Sequence, residues 1–342
     1  MRRGCPLGSA ATSPAITIRS YADADQGDVL DLLDASLGGG PAGRRPPAFF
    51  RWKHLESPFG SSFMLVAECD GRLVGLRAFM RWRFQAGGRT LAAVRAVDTA
   101  THPDFQGMGV FTRLTRAALD ALDGQVDLVF NTPNGKSGPG YLKLGWREVG
   151  RVPVAVRVRR PLRLLTARSG RSRQVPPVAA GPAALALEDG VAVAALLDRE
   201  PTAHGLATPR TVEYLRWRYS AASLLDYRAV TEERGGELAG LALFRVRPRG
   251  GLWESTVAEV LAGGDAPTAR RLLRRVARAA PVDHLTLHAP AGSPLARAAR
   301  RCGYLPSPAG IRLVANPRTA GIEPDPTRLD AWALSLGDLE VF

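Results

Sequence analysis

The sequence predicts an α+β fold: a mixed sheet, antiparallel in one part and parallel in another and flanked by helices, built twice in tandem. Three observations predict it. Runs of alternating apolar and polar residues come first and a strand–helix–strand stretch follows. A glycine turn joins a strand pattern directly to a helix pattern across Val97–Phe111. Short segments then recur at a nearly constant offset. Leu32-Leu33-Asp34 returns as Leu196-Leu197-Asp198, Phe50-Arg51-Trp52-Lys53 as Leu215-Arg216-Trp217-Arg218, and Gly75-Leu76-Arg77-Ala78-Phe79 as Gly240-Leu241-Ala242-Leu243-Phe244. Val126-Asp127 is echoed by Val282-Asp283 and Gly145-Trp146 by Gly303-Tyr304. Common order at a common spacing points to a duplicated domain.

In the first copy, Ile16–Arg19 reads as a strand and Asp23–Leu37 as a helix with Val29, Leu30, Leu32 and Leu33 inward. Phe49–Leu55 is a short second helix. Phe63–Cys69, Leu73–Trp82 and Arg89–Ala100 are antiparallel strands, with Asp70-Gly71 and Gly87-Gly88 as their turns. A helix over Val110–Leu122, a strand over Val126–Asn131, a helix over Pro139–Leu144 and a last strand over Val149–Arg159 complete the copy. Residues 1–14 read as a disordered tail, 15–160 as the first domain, 161–184 as a linker rich in Arg, Ser, Pro and Gly, 185–316 as the second domain and 317–342 as a C-terminal tail. The tail ends on Trp332-Ala333-Leu334-Ser335-Leu336, apolar enough to dock.

The turn at Gln106-Gly107-Met108-Gly109 carries the chemistry. A strand, a glycine turn and a helix start gather unpaired backbone N–H groups at one point, where the helix dipole adds partial positive charge. That is an anion site, suited to a pyrophosphate. Glycines let the backbone approach phosphates without a Cβ in the way. A dinucleotide fingerprint is excluded, since Gln106–Phe111 lacks the third glycine. A Walker loop is excluded too, because Phe130 stands where Gly135-Lys136-Ser137 would need its first glycine.

What remains, Gln-x-x-Gly-x-Gly/Ala in outline, resembles the coenzyme A pyrophosphate loop of the GCN5-related N-acetyltransferases, the GNAT family; Phe111 departs from it, standing where that family has Gly or Ala. Residues 126–146 resemble the family's next motif: strand, Asn, short helix, then Tyr-x-x-x-Gly-aromatic, here Tyr141 to Trp146. The resemblance covers residues 15–160. It implies acetyl-CoA as co-substrate, with backbone groups of Gln106, Gly107, Met108, Gly109 and Val110 on its pyrophosphate. It implies that backbone groups at Val97 and Thr99 hold the pantetheine arm and polarise the thioester carbonyl, with Asn134 on the pantetheine. By the same resemblance Tyr141 is the general acid for the leaving thiolate. Asp98, on the strand facing the thioester, is the general base, with His102 and water as alternatives. Packing against Gly145, an Asn134-Gly135 turn and a strand-end aspartate account equally for Tyr141, Asn134 and Asp98.

The second copy replaces the phosphate loop with Gly263-Gly264-Asp265-Ala266-Pro267. Asp265 reads as a helix N-cap and Pro267 as a first-turn proline, so a carboxylate would use up the helix start and repel a pyrophosphate. The second domain is therefore expected to bind no cofactor. No metal site is expected: His284 and His288 alternate with Leu285 and Leu287 as the wet face of a strand, without Cys, Asp or Glu at ligand spacing.

The formal charge of +14 invites a nucleic-acid reading, but only Lys53, Lys136 and Lys143 are lysines. The other 43 basic residues are arginines spread along the chain, without the clustered, aromatic-interleaved footprint of a nucleic-acid binder. No stretch is long and apolar enough for a membrane span, and no secretory signal is present. Three scattered cysteines suit a reduced, cytoplasmic protein. The expected activity is acetyl transfer from acetyl-CoA to the primary amine of a small molecule, by a monomer or dimer. Aminoacyl transfer from charged tRNA and non-enzymatic acyl-CoA or partner binding remain as alternatives.

Overall fold

The computed structural model describes residues 15–37, 46–135, 137–166, 174–220 and 225–339. The expected N-terminal tail, 1–14, lies outside them, as does part of the expected linker. The first half runs β1 (Thr17–Ser20), a 3-10 turn at Asp23–Asp25, α1 (Gln26–Leu37), α2 (Pro47–His54), β2 (Phe63–Cys69), β3 (Arg72–Ala86), β4 (Arg89–Thr101), α3 (Val110–Ala121), β5 (Leu128–Asn131), α4 (Gly138–Lys143), β6 (Arg147–Val152), β7 (Ala155–Val158) and α5 (Pro161–Thr166). The second half repeats the order: β8 (Gly181–Pro182), α6 (Ala183–Ala186), α7 (Gly190–Asp198), α8 (Val212–Ser220), β9 (Tyr227–Arg234), β10 (Glu237–Arg249), β11 (Leu252–Leu261), α9 (Ala266–Ala279), β12 (His284–Leu287), α10 (Pro294–Arg301), β13 (Leu305–Pro306), β14 (Ile311–Pro317) and α11 (Leu336–Leu339). Within the segment read as a linker, α5 and β8 are ordered elements.

Two seven-stranded mixed sheets result, in the orders β1-β2-β3-β4-β5-β14-β6 and β13-β7-β12-β11-β10-β9-β8. The single strand expected over Val149–Arg159 is broken at Pro153, which has no N–H for a ladder. Its first part, β6, stays in the first sheet; its second, β7, crosses to the second sheet and pairs antiparallel with β12. In return β14 enters the first sheet between β5 and β6. Each sheet thus closes around a strand from the other half.

Both halves contain the same parallel wedge. β4 pairs with β5 only at Ala93↔Leu128 to Arg95↔Phe130, and β11 with β12 only at Glu254↔His284 to Thr256↔Thr286. Beyond these pairs β4 parts from β5 and β11 from β12, each keeping its other neighbour in the sheet.

The described residues gather into two compact units. The first comprises 15–37, 63–78 and 97–121. Here β1 lies antiparallel to β2, with Thr17 opposite Glu68, and Arg19 bridges Asp25 at 2.7 Å and Glu68 at 3.0 Å. Helix α3 packs on β2 with Val110, Leu114 and Ala118 inward. Gly75 makes room for it: a Cβ there would stand 2.6 Å from Val110 Cγ1 and 2.8 Å from Leu114 Cδ1.

The second unit holds the rest. Gly240, the repeat partner of Gly75, does the same service for α9, where a Cβ would meet Thr268 Cγ2 at 2.7 Å and Leu272 Cδ1 at 3.0 Å. The repeated tryptophans meet symmetrically. Trp52 Nε1–H donates to the Trp217 carbonyl at 2.7 Å, Trp217 Nε1–H donates to the Trp52 carbonyl at 2.9 Å, and the rings stack with centroids 5.2 Å apart. Each bond satisfies a buried indole donor that would otherwise cost desolvation. The C-terminal tail docks as its apolar pattern suggested: Trp332 is buried and its ring meets Phe84 and Phe130 at 5.3 and 5.8 Å. No helix among the described residues is long and apolar enough to cross a membrane.

Gly75→Ala and Gly240→Ala should each destabilise the protein by about 1–3 kcal/mol, the usual cost of overpacking a core. Urea denaturation checks this; midpoints equal to wild type would contradict the close packing of α3 and α9.

Candidate functional site

In the first unit, β4 bends just before its end. Asp98 has φ +35°, rare for a residue with a Cβ and tolerated best by Asp and Asn. The Thr99 hydroxyl reaches back over it to the Val97 carbonyl at 3.5 Å. Thr99 Oγ1 in turn accepts from Arg77 Nη1 at 2.5 Å. The positive φ puts a kink in β4 at Val97–Thr99, inside a strand that runs on to Thr101.

After Thr101 the chain makes a 3-10 turn over Pro103–Phe105 and enters the glycine loop. Gly107 and Gly109 have φ of +80° and +75°, and a Cβ on either would meet nothing within 4 Å. Both glycines are required by conformation, and the space around them is open. Gln106 N–H is spent on the Pro103 carbonyl at 3.3 Å. The N–H groups of Gly107, Met108, Gly109 and Val110 donate to no backbone carbonyl among the described residues. They sit at the head of the twelve-residue α3, whose first turn carries no acid. Donors at the exposed Gly107, Met108 and Gly109, together with the helix dipole, make an anion-binding concavity.

His102 is part of the turn. Its Nε2 lies 2.6 Å from Arg72 Nη2, and its Nδ1 accepts from the Asp104 N–H at 3.3 Å, so both ring nitrogens have partners close by in the fold.

Arg77 is fully buried, and nothing in the sequence reading singled it out. Its guanidinium lies 5.8 Å from the Phe111 ring centroid. Phe111, the departure from the family pattern, therefore covers a buried cation. The signal was present in the repeat, where Ala242 occupies the position of Arg77.

Two predicted residues lie in the second unit. Tyr141 is buried in α4, its ring 5.1 Å from that of Trp146 across a turn closed by Gly145 at φ +96°. Asn134 Oδ1 accepts from Ser137 N–H at 2.9 Å and from the Ser137 hydroxyl at 3.1 Å, so it braces the entry to α4. Lys53, beside Trp52, is buried and lines no mouth.

The corresponding loop in the second half is filled from within. Asp265 caps α9, accepting from Thr268 N–H at 3.0 Å and its hydroxyl at 2.6 Å, and Pro267 sits in the first turn. Glu200 Oε1 accepts from the N–H groups of Ala262 and Gly263. The sequence hid Glu200: at the repeat offset its place is taken by Ser36, which donates to the Thr101 carbonyl at 3.0 Å.

The two histidines do not share a wet face. β12 is covered on both sides by its place inside the second sheet. His284 pairs with the buried Glu254 at 3.1 Å, and His288 is buried with Nδ1–H on the Pro153 carbonyl at 2.7 Å. Burial would raise the Glu254 carboxyl, but His284 and the arginines 247 and 249 hold it at about 2. No group of three or more potential ligands is assembled for a metal among the described residues.

Residues 17–149 match the acetyltransferase (GNAT) domain family. The match covers the first half of the chain and no more. No curated protein matches the sequence. Solved structures agree on the tandem GNAT fold. A probable N-acyltransferase of unknown function from Enterococcus faecalis V583 is 14% identical, with TM-score 0.61 over 88% of this chain and 72% of that one. A GCN5-related N-acetyltransferase from Anabaena variabilis is 12% identical, with TM-score 0.63 over 89% and 73%. The N-myristoyltransferase of Saccharomyces cerevisiae with bound myristoylCoA is 10% identical, with TM-score 0.55 over 91% and 84%.

Asp265 supplies a pH test of the filled GNAT loop. Its bonds to Thr268 hold the carboxyl below the ordinary 3.8. A lowered folded-state value stabilises above the unfolded value and is lost as pH falls through the folded one. Asp265→Ala should therefore cost about 1 kcal/mol at neutral pH, as for other caps, and progressively less as pH falls below the ordinary 3.8. Urea midpoints across pH check this; a pH-independent loss would contradict the cap.

Proposed function

We propose that this GNAT protein transfers an acetyl group from acetyl-CoA to the primary amine of a small molecule, and that only its first half binds the CoA. The observation that carries the reading is the row of unspent N–H groups from Gly107 to Val110 at the head of α3. It supports pyrophosphate binding there, whereas Glu200 and Asp265 occupy the equivalent donors in the second half. The acyl-CoA ligand of the yeast neighbour favours a CoA thioester over charged tRNA as donor. The free, buried thiols of Cys69 and Cys302 are in keeping with a reducing cytoplasm.

In this reading the backbone at Val97–Thr99 receives the thioester arm and polarises its carbonyl oxygen as charge develops on it. Asp98 takes a proton from the ammonium nucleophile. The amine nitrogen bonds to the acyl carbon, the carbon–sulfur bond breaks, the Tyr141 phenol gives its proton to the departing sulfur, and the second proton shed by the nitrogen restores the phenol. A phenol near pKa 10 can serve a thiolate whose acid is near 8.5 when placed directly against it. His102, with both ring nitrogens in contact with neighbours, and water are the alternatives to Asp98 as base.

Calorimetry should give one CoA per chain, and Gly109→Asp, which sets a carboxylate against the pyrophosphate, should abolish the binding while leaving the circular dichroism unchanged. Two CoA per chain would overturn the single-site reading. Tight tRNA binding without CoA binding would favour aminoacyl transfer.

Tyr141→Phe should lower kcat about 10²–10⁴-fold with little change in the KM for acetyl-CoA. Asp98→Asn should remove the acidic limb of the pH–rate profile and be partly rescued at high pH, where the amine is already neutral. An unchanged kcat sinks the acid, and an unchanged profile sinks the base, each without the other.

A further inference from the structure

A cleft of about 1220 Å³ opens in the second unit, lined by Val260 near the end of β11 and by His288 just past β12. It occupies the wedge that in the first half leads to the phosphate loop. Its other walls are apolar: Ala269 of α9, Leu295 of α10, and Leu329, Trp332 and Leu334 of the C-terminal segment.

The polar groups of the cleft run opposite to those of the first half. Several of its backbone donors are already bonded to side chains. Ala262 and Gly263 N–H groups are on Glu200 Oε1, the head of α9 is capped by Asp265, and the head of α10 is capped by Ser293, whose Oγ accepts from Ala296 N–H at 3.1 Å. Its one arginine, Arg328, is held by Asp330 at 2.8 Å. The cleft also offers acceptors. Glu200 Oε2 has no hydrogen-bond partner among the described residues. His288 is only 9% exposed, and because Nδ1–H is committed to Pro153, its Nε2 presents a lone pair with no partner among the described residues. Burial lowers the His288 pKa, so the ring is a neutral acceptor at physiological pH. Carboxylates at Glu200 and Asp265 repel an anion such as a fatty acid or a nucleotide. A large apolar cleft with a few convergent acceptors and net negative charge selects an apolar molecule that carries N–H donors and positive charge.

We propose that this cleft binds a hydrophobic primary amine in its ammonium form, the apolar body against Trp332, Leu295 and Ala269, the ammonium paired with the Glu200 carboxylate, and His288 Nε2 as a further acceptor. The site lies wholly within the second unit and does not depend on the acyl-transfer reading.

The test titrates the full chain, without CoA, with n-octylammonium, n-octanol and n-octanoate by calorimetry. Octylammonium should bind one per chain, at least about tenfold tighter than the alcohol and the carboxylate, as expected for a desolvated charge-assisted hydrogen bond. Glu200→Gln keeps an oxygen for the Ala262 and Gly263 N–H groups but removes the charge. It should weaken octylammonium about tenfold and leave octanol unchanged. Ala203→Trp, at the exposed rim of the cleft, should weaken all three ligands and leave CoA binding as it was. Absence of octylammonium binding, equal binding of octanoate, or full affinity in Glu200→Gln would overturn the proposal. CoA binding measured in the same samples reports separately on the first half, so either conclusion can fail alone.

Discussion

Two strands change places, and the architecture depends on that exchange. β14 lies between β5 and β6, and β7 lies between β12 and β13. Without the second half, β5 and β6 would face each other across a missing strand, and both would show unpaired N–H and C=O groups. The same holds for β12 and β13 without the first half. A half whose phosphate loop is filled is therefore retained as a structural necessity. The symmetric pair Trp52–Trp217, each indole donating to the other's backbone, repeats the same mutual dependence in the helices α2 and α8.

A second constraint is the buried charge that fixes the C-terminal segment. Asp338 is fully buried, 2.8 Å from Arg210, which also meets Glu259 at 3.2 Å. Tyr219 and Ser335 donate to Glu259 at 3.0 and 2.6 Å. Arg95 and Arg218, both buried, donate to the last carbonyls, at Asp338 and Leu339 for the first and at Gly337 for the second. Burial alone would raise the Asp338 carboxyl, yet Arg210 and the N–H of Ser335 hold it low; Glu259, with the Asp338 charge nearby, is pushed up instead. Charges taken out of water this fully are tolerated only when each finds partners, so the network sets one position for the tail and, through Trp332 and Leu334, one wall of the cleft.

The two halves also divide chemical labour by polarity. One fold element, a wedge between parallel strands ending at a helix N-terminus, presents donors in the first half and acceptors in the second. The difference is a few side chains. Gly109 and an acid-free first turn leave the head of α3 uncapped by any acid, whereas Asp265 takes the Thr268 N–H of α9 and Glu200 the Ala262 and Gly263 N–H groups of its loop. The backbone frame is unchanged while the preferred sign of a ligand is inverted.

The sequence by itself determined what local chemistry determines. The glycines of the loop, the helix starts at Val110 and Ala266, the Asp265 cap and the duplicated order all follow from residue type and spacing, because propensity, capping and periodicity act within a few residues. The strand edges over Phe63–Cys69 were legible for the same reason. Only the tertiary structure decided which sheet a strand joins, since β7 and β14 carry no mark of exchange beyond a proline that breaks the run. It also decided that His288 and Lys53 are buried, that Arg77 stands behind Thr99, and that Glu200 plugs a loop more than sixty residues away. Those outcomes rest on pairing between distant segments, where burial and hydrogen-bond satisfaction are settled by neighbours the local sequence does not name.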